Sequence, residues 1–175
     1  ASTGATYRVV EVLVERELIR RIPRGAITEV RWEPMLRAWA DDRKVCPIRR
    51  FAAPDGVAAI RNRLAEHVDI PYALTGVGAT DYAEPALLEV YADDPDEFAA
   101  VLGLRPVDRG GDVVVAIPWS PVVFDRMDRR GGLRHVAPSH VYADLLAGPF
   151  RNTDAAEHLI TQLTADDARW RRPIR

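Results

Sequence analysis

The stretch ATYRVVEVLVERELIRRIPRGAITEV, residues 5–30, combines an apolar-periodic segment with a cluster of arginines around a Pro/Gly turn. In its first half, apolar residues such as Val9 and Leu13 recur at helical spacing, which predicts a helix with one buried stripe. Ser2 and Thr3 precede this segment, and both are suitable N-cap residues. The stretch therefore opens with a predicted amphipathic helix.

The second half of the stretch predicts a β-hairpin. Two short β-prone runs, 18–22 and 26–30, flank the turn Pro23-Arg24-Gly25. A second amphipathic helix is predicted after the hairpin, with Pro34 in its first turn, where proline is tolerated. Its apolar positions are spaced i, i+3, i+4 and i+7: Trp32, Met35, Leu36 and Trp39.

A helix followed by a basic hairpin is the order of the back half of a winged helix-turn-helix. In that fold the second helix enters the major groove, while the hairpin, or wing, contacts the neighbouring backbone. Hydroxyl and guanidinium groups are suitable donors to phosphate oxygens and guanine edges. The candidate DNA-binding residues lie at the start of the helix and on the hairpin: Ser2, Thr3, Thr6, Tyr7, Arg8, Arg20, Arg21 and Arg24. From spacing alone, an ordinary solvated basic face explains the same pattern.

The distribution of charge favours the DNA-binding interpretation. Residues 1–50 contain eleven Arg/Lys and seven Asp/Glu, whereas the remainder contains thirteen and nineteen. Such asymmetry predicts a module that faces a polyanion, joined to an acidic body. Lys44 is the only lysine in the sequence, so part of the arginine content is also explained by the base composition of the genome.

The rest of the chain predicts an α+β body. Asp112–Ile117 is the clearest buried strand, and Asp94-Pro95-Asp96-Glu97 predicts a capped helix that ends at Gly103. Ser139 and Thr153 are the expected N-caps of two later helices. Further strands are predicted at 45–51, 72–76, 87–91 and 133–136, and a further helix around 58–68. The predicted domains are 1–43 and 44–175.

Catalytic and metal-binding patterns are weak. The carboxylates at 93–96 suit Mg²⁺, but helix capping is the favoured explanation for them. The glycines of 76–81 are a weak phosphate signal, His135 and His140 do not have helical zinc spacing, and Cys46 is expected to be a small core residue. We therefore predict no catalytic residues, no metal and no cofactor. The alternative is a nucleotide-handling, nucleotidyltransferase-like enzyme with an acidic Mg-binding site.

Other features of the sequence predict a cytoplasmic protein. No apolar run is long enough for a membrane span, and the chain does not open with a signal peptide. A single cysteine cannot form an internal disulfide. At 175 residues with 47% hydrophobic content, the chain is large enough for a real core.

The sequence resembles the AbiEi family of transcriptional regulators, the antitoxin component of type IV toxin–antitoxin systems, in its actinobacterial form. The resemblance covers nearly the whole chain and rests on the order of four stretches. They are STGATYRVVEVLVERELIRRIPRGAITEVRWEPMLRAWADD, YALTGVGATDYAEP, LLEVYADDPDEFAAVLGLRPVDRGGDVVVAIPWSPVVFDR and GLRHVAPSHVYADLLAGPFRNTDAAEHLITQL.

The resemblance implies a fold and a function. The fold is a partial N-terminal winged helix-turn-helix, consisting of recognition helix and wing, followed by an α+β C-terminal antitoxin domain. The function is a bacterial repressor that binds double-stranded operator DNA, autoregulates its operon and antagonises a nucleotidyltransferase-like toxin without stable direct contact. Whether a homodimer occupies the DNA stays open.

One departure from the family concerns the start of the chain. The positioning helices that precede a recognition helix are not part of the given sequence, which begins at Ala1. A recognition helix without them is poorly held in a groove. We therefore expect this chain alone to bind DNA poorly.

Overall fold

The computed structural model describes residues 3–23, 25–66 and 69–166, which form a mixed α+β structure with six α-helices. The chain divides into two compact units, residues 1–42 and 43–175. The division lies one residue before the boundary proposed from the sequence. No helix among the described residues has both the length and the apolar character needed to cross a membrane.

Unit 1 (residues 1–42) consists of two helices separated by an antiparallel hairpin. Helix α1 spans Thr3–Glu15 and helix α2 spans Trp32–Asp42, while the strands are β1 (Ile19–Arg21) and β2 (Ile27–Val30). Ile19 pairs with Val30 and Arg20 with Glu29, and the register then shifts at Arg21, which faces Ile27. A shift of this kind increases the local twist of a hairpin. Unit 1 therefore has the helix, hairpin, helix order that the sequence predicts.

The apolar core of unit 1 is small. Among its described residues only Leu18, Ile19 and Ala40 are buried hydrophobic side chains. The expectation that α1 buries a stripe including Val9 and Leu13 is wrong for Val9, which is 58% exposed. Leu13 is half-buried.

Unit 2 (residues 43–175) is built on a seven-stranded mixed sheet with strand order β6-β3-β7-β5-β4-β9-β8. The β5–β7 and β4–β9 pairs are parallel, and the other neighbouring pairs are antiparallel. The strands are β3 (Ile48–Ala52), β4 (Ala73–Leu74), β5 (Leu88–Tyr91), β6 (Arg105–Pro106), β7 (Val113–Ala116), β8 (Asp128–Arg130) and β9 (Leu133–His135).

Strands β5 and β7 are buried at every position, as expected for the centre of a sheet covered on both faces. Four helices belong to this unit: α3 (Gly56–Ala65), α4 (Pro95–Leu102), α5 (Pro138–Leu146) and α6 (Thr153–Ala165). One core cluster joins side chains of α3 and α4 to the central strands, including Ile60, Phe98, Val90 and Val115.

The helix ends follow local chemistry only in part. Asp94 caps α4 as predicted, since its Oδ1 accepts hydrogen bonds from the Asp96 and Glu97 amides at 2.9 Å each. The predicted cap at Ser139 is wrong, because α5 already begins at Pro138. The predicted cap at Thr153 is also wrong. The side-chain oxygen Oδ1 of Asn152 accepts a hydrogen bond from the Ala155 amide at 3.0 Å and caps α6 instead.

Candidate functional site

The hairpin and α1 meet at an aromatic contact between two of the predicted DNA-binding residues. The Arg21 guanidinium lies over the Tyr7 ring, 5.1 Å from its centroid. A cation above an aromatic face is attracted by the ring quadrupole. Tyr7 is 47% exposed, so this contact stands at the protein surface. The structure thus joins the leading part of the helix to the first strand of the hairpin.

Arg20 lies on the same strand and has a carboxylate partner. It stands directly opposite Glu29 on β2, and its Nη1 lies 3.0 Å from Glu29 Oε2. The Arg20 side chain is 75% exposed and that of Glu29 45% exposed. An ion pair this exposed contributes roughly 0–1 kcal/mol to stability. A competing anion can therefore displace Glu29 at little cost.

The remaining predicted DNA-binding residues have fewer described contacts. Arg8 is exposed, and its Nε reaches the Gly4 carbonyl oxygen only at 3.5 Å, the long limit of a hydrogen bond. Thr6 lies on α1 and is also exposed, and Thr3 is the first residue of that helix. Ser2 and Arg24 lie outside the described residues.

The charge asymmetry seen in the sequence does not belong to unit 1. Residues 1–42 contain seven basic and seven acidic side chains, and the basic excess of residues 1–50 comes from Arg43, Lys44, Arg49 and Arg50 of unit 2. Three arginines of unit 1 also pair with carboxylates of the same unit: Arg16 with Asp42, Arg31 with Glu17 and Arg37 with Glu33. The sequence argument from regional charge is therefore wrong for the helix–hairpin unit.

The sequence reasoning missed a buried polar network in unit 2, centred on Asp144 of α5. Asp144 as a whole residue is 2% exposed. Its Oδ2 accepts from the Thr75 hydroxyl at 2.5 Å, and its Oδ1 accepts from the Tyr91 hydroxyl at 2.9 Å and from Arg43 Nη1 at 2.5 Å. Burial raises the pKa of the Asp144 carboxyl, and the Arg43 charge and both hydroxyls oppose that rise.

His140 completes this network from one turn earlier on α5. Arg43 Nη2 donates to the Tyr91 hydroxyl oxygen and lies 3.0 Å from His140 Nε2. Since a guanidinium has no acceptor, His140 Nε2 must accept, so the imidazole is neutral with its proton on Nδ1. Burial, together with the Arg43 charge, lowers the pKa of His140 to about 3. Cys46 is half-buried nearby, and burial raises the pKa of its thiol.

Glu89 is a second buried carboxyl of unit 2, on β5. It is 7% exposed, and its Oε2 accepts from the Val77 amide at 2.9 Å. Burial raises its pKa to about 7. Gly76 stands against it with φ +61°, and a Cβ added there would lie 1.7 Å from Glu89 Oε2. The Gly-rich turn at 76–78 is therefore shaped by the close approach of Glu89.

Two of the carboxylates at 93–96 that were considered for Mg²⁺ are engaged in local contacts, and so is Asp81 of the turn at 76–81. Asp94 caps α4, Asp96 Oδ1 accepts from Arg49 Nη2 at 3.1 Å, and Asp81 binds the side chains of His158 and Gln162. Within residues 3–23, 25–66 and 69–166, no group of three or more His, Cys, Asp or Glu side chains is arranged to hold a metal ion.

Protein-family models, curated proteins and solved structures were each compared with the chain, and none of the three comparisons finds a match.

Proposed function

We propose that this protein is a DNA-binding transcriptional regulator that reads its operator through α1 and the hairpin of unit 1. The contact between Tyr7 and Arg21 carries the proposal, because it holds a helical aromatic and a hairpin guanidinium in one exposed surface. We call the exposed residues Thr6, Tyr7, Arg8 and Arg20, together with the half-buried Arg21, the helix–hairpin surface. In a winged helix-turn-helix these two elements face the groove and the neighbouring phosphates.

The chemistry of this surface suits a duplex. Arg20 and Arg21 supply guanidinium groups, which bind phosphate oxygens strongly and in fixed geometry. Arg8 and the hydroxyls of Thr6 and Tyr7 add donors that suit base edges or phosphates. Because unit 1 contains equal numbers of acidic and basic residues, its attraction to DNA depends on this local arrangement. As part of the same proposal, a DNA phosphate replaces Glu29 as the ion-pair partner of Arg20.

The biological role proposed is that of a cytoplasmic antitoxin in a bacterial type IV toxin–antitoxin system. Its support is the resemblance of the sequence to the AbiEi family, which also suggests a winged helix-turn-helix for unit 1 and an antitoxin domain for unit 2. In this role the protein represses its own operon and opposes a nucleotidyltransferase-like toxin without binding it stably. A homodimer on the operator is the arrangement to test first, since regulators commonly bind paired half-sites.

The test of DNA binding uses the intact protein and a fluorescently labelled duplex from upstream of its own gene. We expect the anisotropy titration to give an affinity that falls steeply with salt, because phosphate contacts release counterions. Arg21→Ala should weaken binding to all duplexes by about tenfold, whereas Arg8→Ala should change sequence preference. Binding that is unaffected by Arg21→Ala at moderate salt would refute the surface assignment.

A matched control is Arg37→Ala. It removes the same charge from unit 1, but from α2, where Arg37 pairs with Glu33 at 3.2 Å. Its affinity for the duplex should stay within about twofold of the parent if the helix–hairpin surface is responsible. Equal losses in Arg37→Ala and Arg21→Ala would indicate a nonspecific charge effect. The antitoxin role is tested separately, by rescue of growth when the protein is expressed with the product of the adjacent gene.

A further inference from the structure

A cavity of about 370 Å³ lies in unit 2. The residues that line it are far in sequence from every residue proposed to bind DNA. It is formed between α3, the short turn Val77–Ala79 and the β8–β9 hairpin. The polar side chains that line it come from separate elements: Arg61, Asn62, Thr80, Arg130 and His135. Its volume falls within the range of small-ligand sites.

Two guanidinium groups converge on this cavity. Arg61 Nη1 donates to the Gly78 carbonyl oxygen at 3.4 Å, and Arg130 Nη2 donates to the next carbonyl, that of Ala79, at 2.9 Å. The two arginines belong to α3 and β8, which are far apart in sequence, so the fold itself brings them to one turn. None of the described lining residues is acidic. Arg130 makes a long ion pair with Asp128, whose Oδ2 lies 3.8 Å from the Arg130 Nε.

His135 lies in the wall of this cavity, close to the positive charges of Arg61 and Arg130, and one of its ring nitrogens lacks a hydrogen-bond partner. The residue is 4% exposed, and its Nδ1 makes no hydrogen bond with the described residues. A buried polar group without a partner is unfavourable, and a ligand that supplies one removes that cost. Burial, and then the charges of Arg130 and Arg61, lower the pKa of His135 to about 4. The imidazole therefore stays neutral at physiological pH beside two cations.

A smaller apolar cleft continues from the same residues. It shares Ala79, Thr80 and Arg130 with the cavity and extends over α5 and α6. Its lining includes the apolar side chains of Pro138, Val141, Leu159 and Leu163, together with the polar side chains of Asp81 and Gln162. A positively charged chamber that opens onto an apolar cleft suits a ligand with an anionic group at one end and a carbon skeleton at the other.

We propose that this cavity binds the phosphate group of a small organic phosphate, such as a mononucleotide. Arg61 and Arg130 hold the phosphate oxygens, and the organic part lies along the apolar cleft. Guanidinium pairs are well suited to phosphate because they offer several donors in a fixed fork. The proposal is independent of DNA binding by unit 1, and either can fail without affecting the other.

The test is calorimetric titration of the full chain with inorganic phosphate and with adenosine 5′-monophosphate. We expect both to bind, the nucleotide more tightly. Arg61→Gln should weaken nucleotide binding by about tenfold, the loss expected for one charge-assisted contact. This variant gives up only a long hydrogen bond to Gly78, so it is expected to fold. Arg129→Gln is the control, because Arg129 is an exposed neighbour on β8 that does not line the cavity.

Three results would overturn the proposal. The first is absence of heat with both probes at millimolar concentration, and the second is equal affinity in Arg61→Gln and Arg129→Gln. The third is an equal affinity for inorganic phosphate and for the nucleotide, which would show that the organic part of the ligand does not contribute to binding. A separate readout is the NMR signal of the His135 ring, whose pKa should rise when the ligand neutralises the two arginines.

Discussion

Replacing Arg43 with methionine should destabilise unit 2 by about 3 kcal/mol, because it leaves a buried carboxylate without its counter-ion. Removing one member of a buried ion pair costs roughly 3–5 kcal/mol. Here the Arg43 and Asp144 side chains are 16% and 3% exposed, so solvent screens the pair little. The hydroxyls of Thr75 and Tyr91 still bind Asp144 in the variant, which places the expected loss at the lower end of that range.

The loss should depend on pH in a definite direction. Without the guanidinium, the pKa of the buried Asp144 carboxyl rises further above its unfolded value. A raised carboxyl pKa gives stability that is present below the unfolded pKa and is lost as pH rises through the folded pKa. The Arg43→Met variant should therefore be less destabilised at about pH 5 than at about pH 8. Urea unfolding followed by circular dichroism at the two pH values measures the difference.

An exposed ion pair of the same unit provides the control. Arg49 pairs with Asp96 at 3.1 Å, with side chains 50% and 70% exposed. Arg49→Met should cost less than about 1 kcal/mol. The double variant Arg43→Met/Asp144→Asn should recover part of the loss, since it removes both charges. If Arg43→Met costs no more than Arg49→Met, the network does not stabilise unit 2 as argued.

Three further predictions concern unit 2. In urea titrations, Glu89→Gln should leave the free energy of unfolding unchanged at about pH 4 and raise it by up to about 3 kcal/mol at about pH 8. The reason is that the parent carboxyl, with a folded pKa of about 7, must ionise while buried. A stability difference between variant and parent that does not change from pH 4 to pH 8 would contradict this prediction. Gly76→Ala should lower the stability by about 3 kcal/mol or more, because the added Cβ would overlap Glu89 and the backbone has a positive φ. Gly110→Ala is the control, since Gly110 has a φ of +67° but open space around it. It should cost about 1 kcal/mol in the same denaturation assay. Asp94→Ala should cost about 1 kcal/mol through loss of the α4 cap, and Asp94→Asn should restore most of that loss in thermal melts; equal melting of the two variants would argue against the cap.

Local chemistry made several elements predictable from the sequence. The α4 helix was identified from Asp94, Pro95 and Gly103, because a cap, an N1 proline and a left-handed glycine act within a few residues of each other. The spacing of Trp32 and Trp39 predicts α2, because residues seven positions apart lie on the same face of a helix. Two-residue strands such as β6 have too few residues to show any alternation, and they form only because a neighbouring strand supplies the hydrogen bonds.

The parts that sequence reasoning missed depend on long-range contacts. Arg43 and Asp144 are 101 positions apart, and no spacing rule connects them. The same holds for Arg61 and Arg130, whose approach depends on the packing of α3 beside β9. The charge argument failed because a window of 50 residues crossed from one unit into the other. For the predicted DNA-binding residues, the structure adds the contact of Tyr7 with Arg21 and the ion pair of Arg20 with Glu29.

Because its apolar core is small, unit 1 should unfold locally more often than unit 2. The described residues of unit 1 include three buried apolar side chains and those of unit 2 include 34, so local unfolding of unit 1 exposes little apolar surface to water. Its backbone amides should take up deuterium within a short labelling time, while those of β5 and β7 stay protonated far longer. Anything that grips α1 and the hairpin would slow that uptake, so mass-spectrometric labelling offers a view of occupancy before a binding sequence is known.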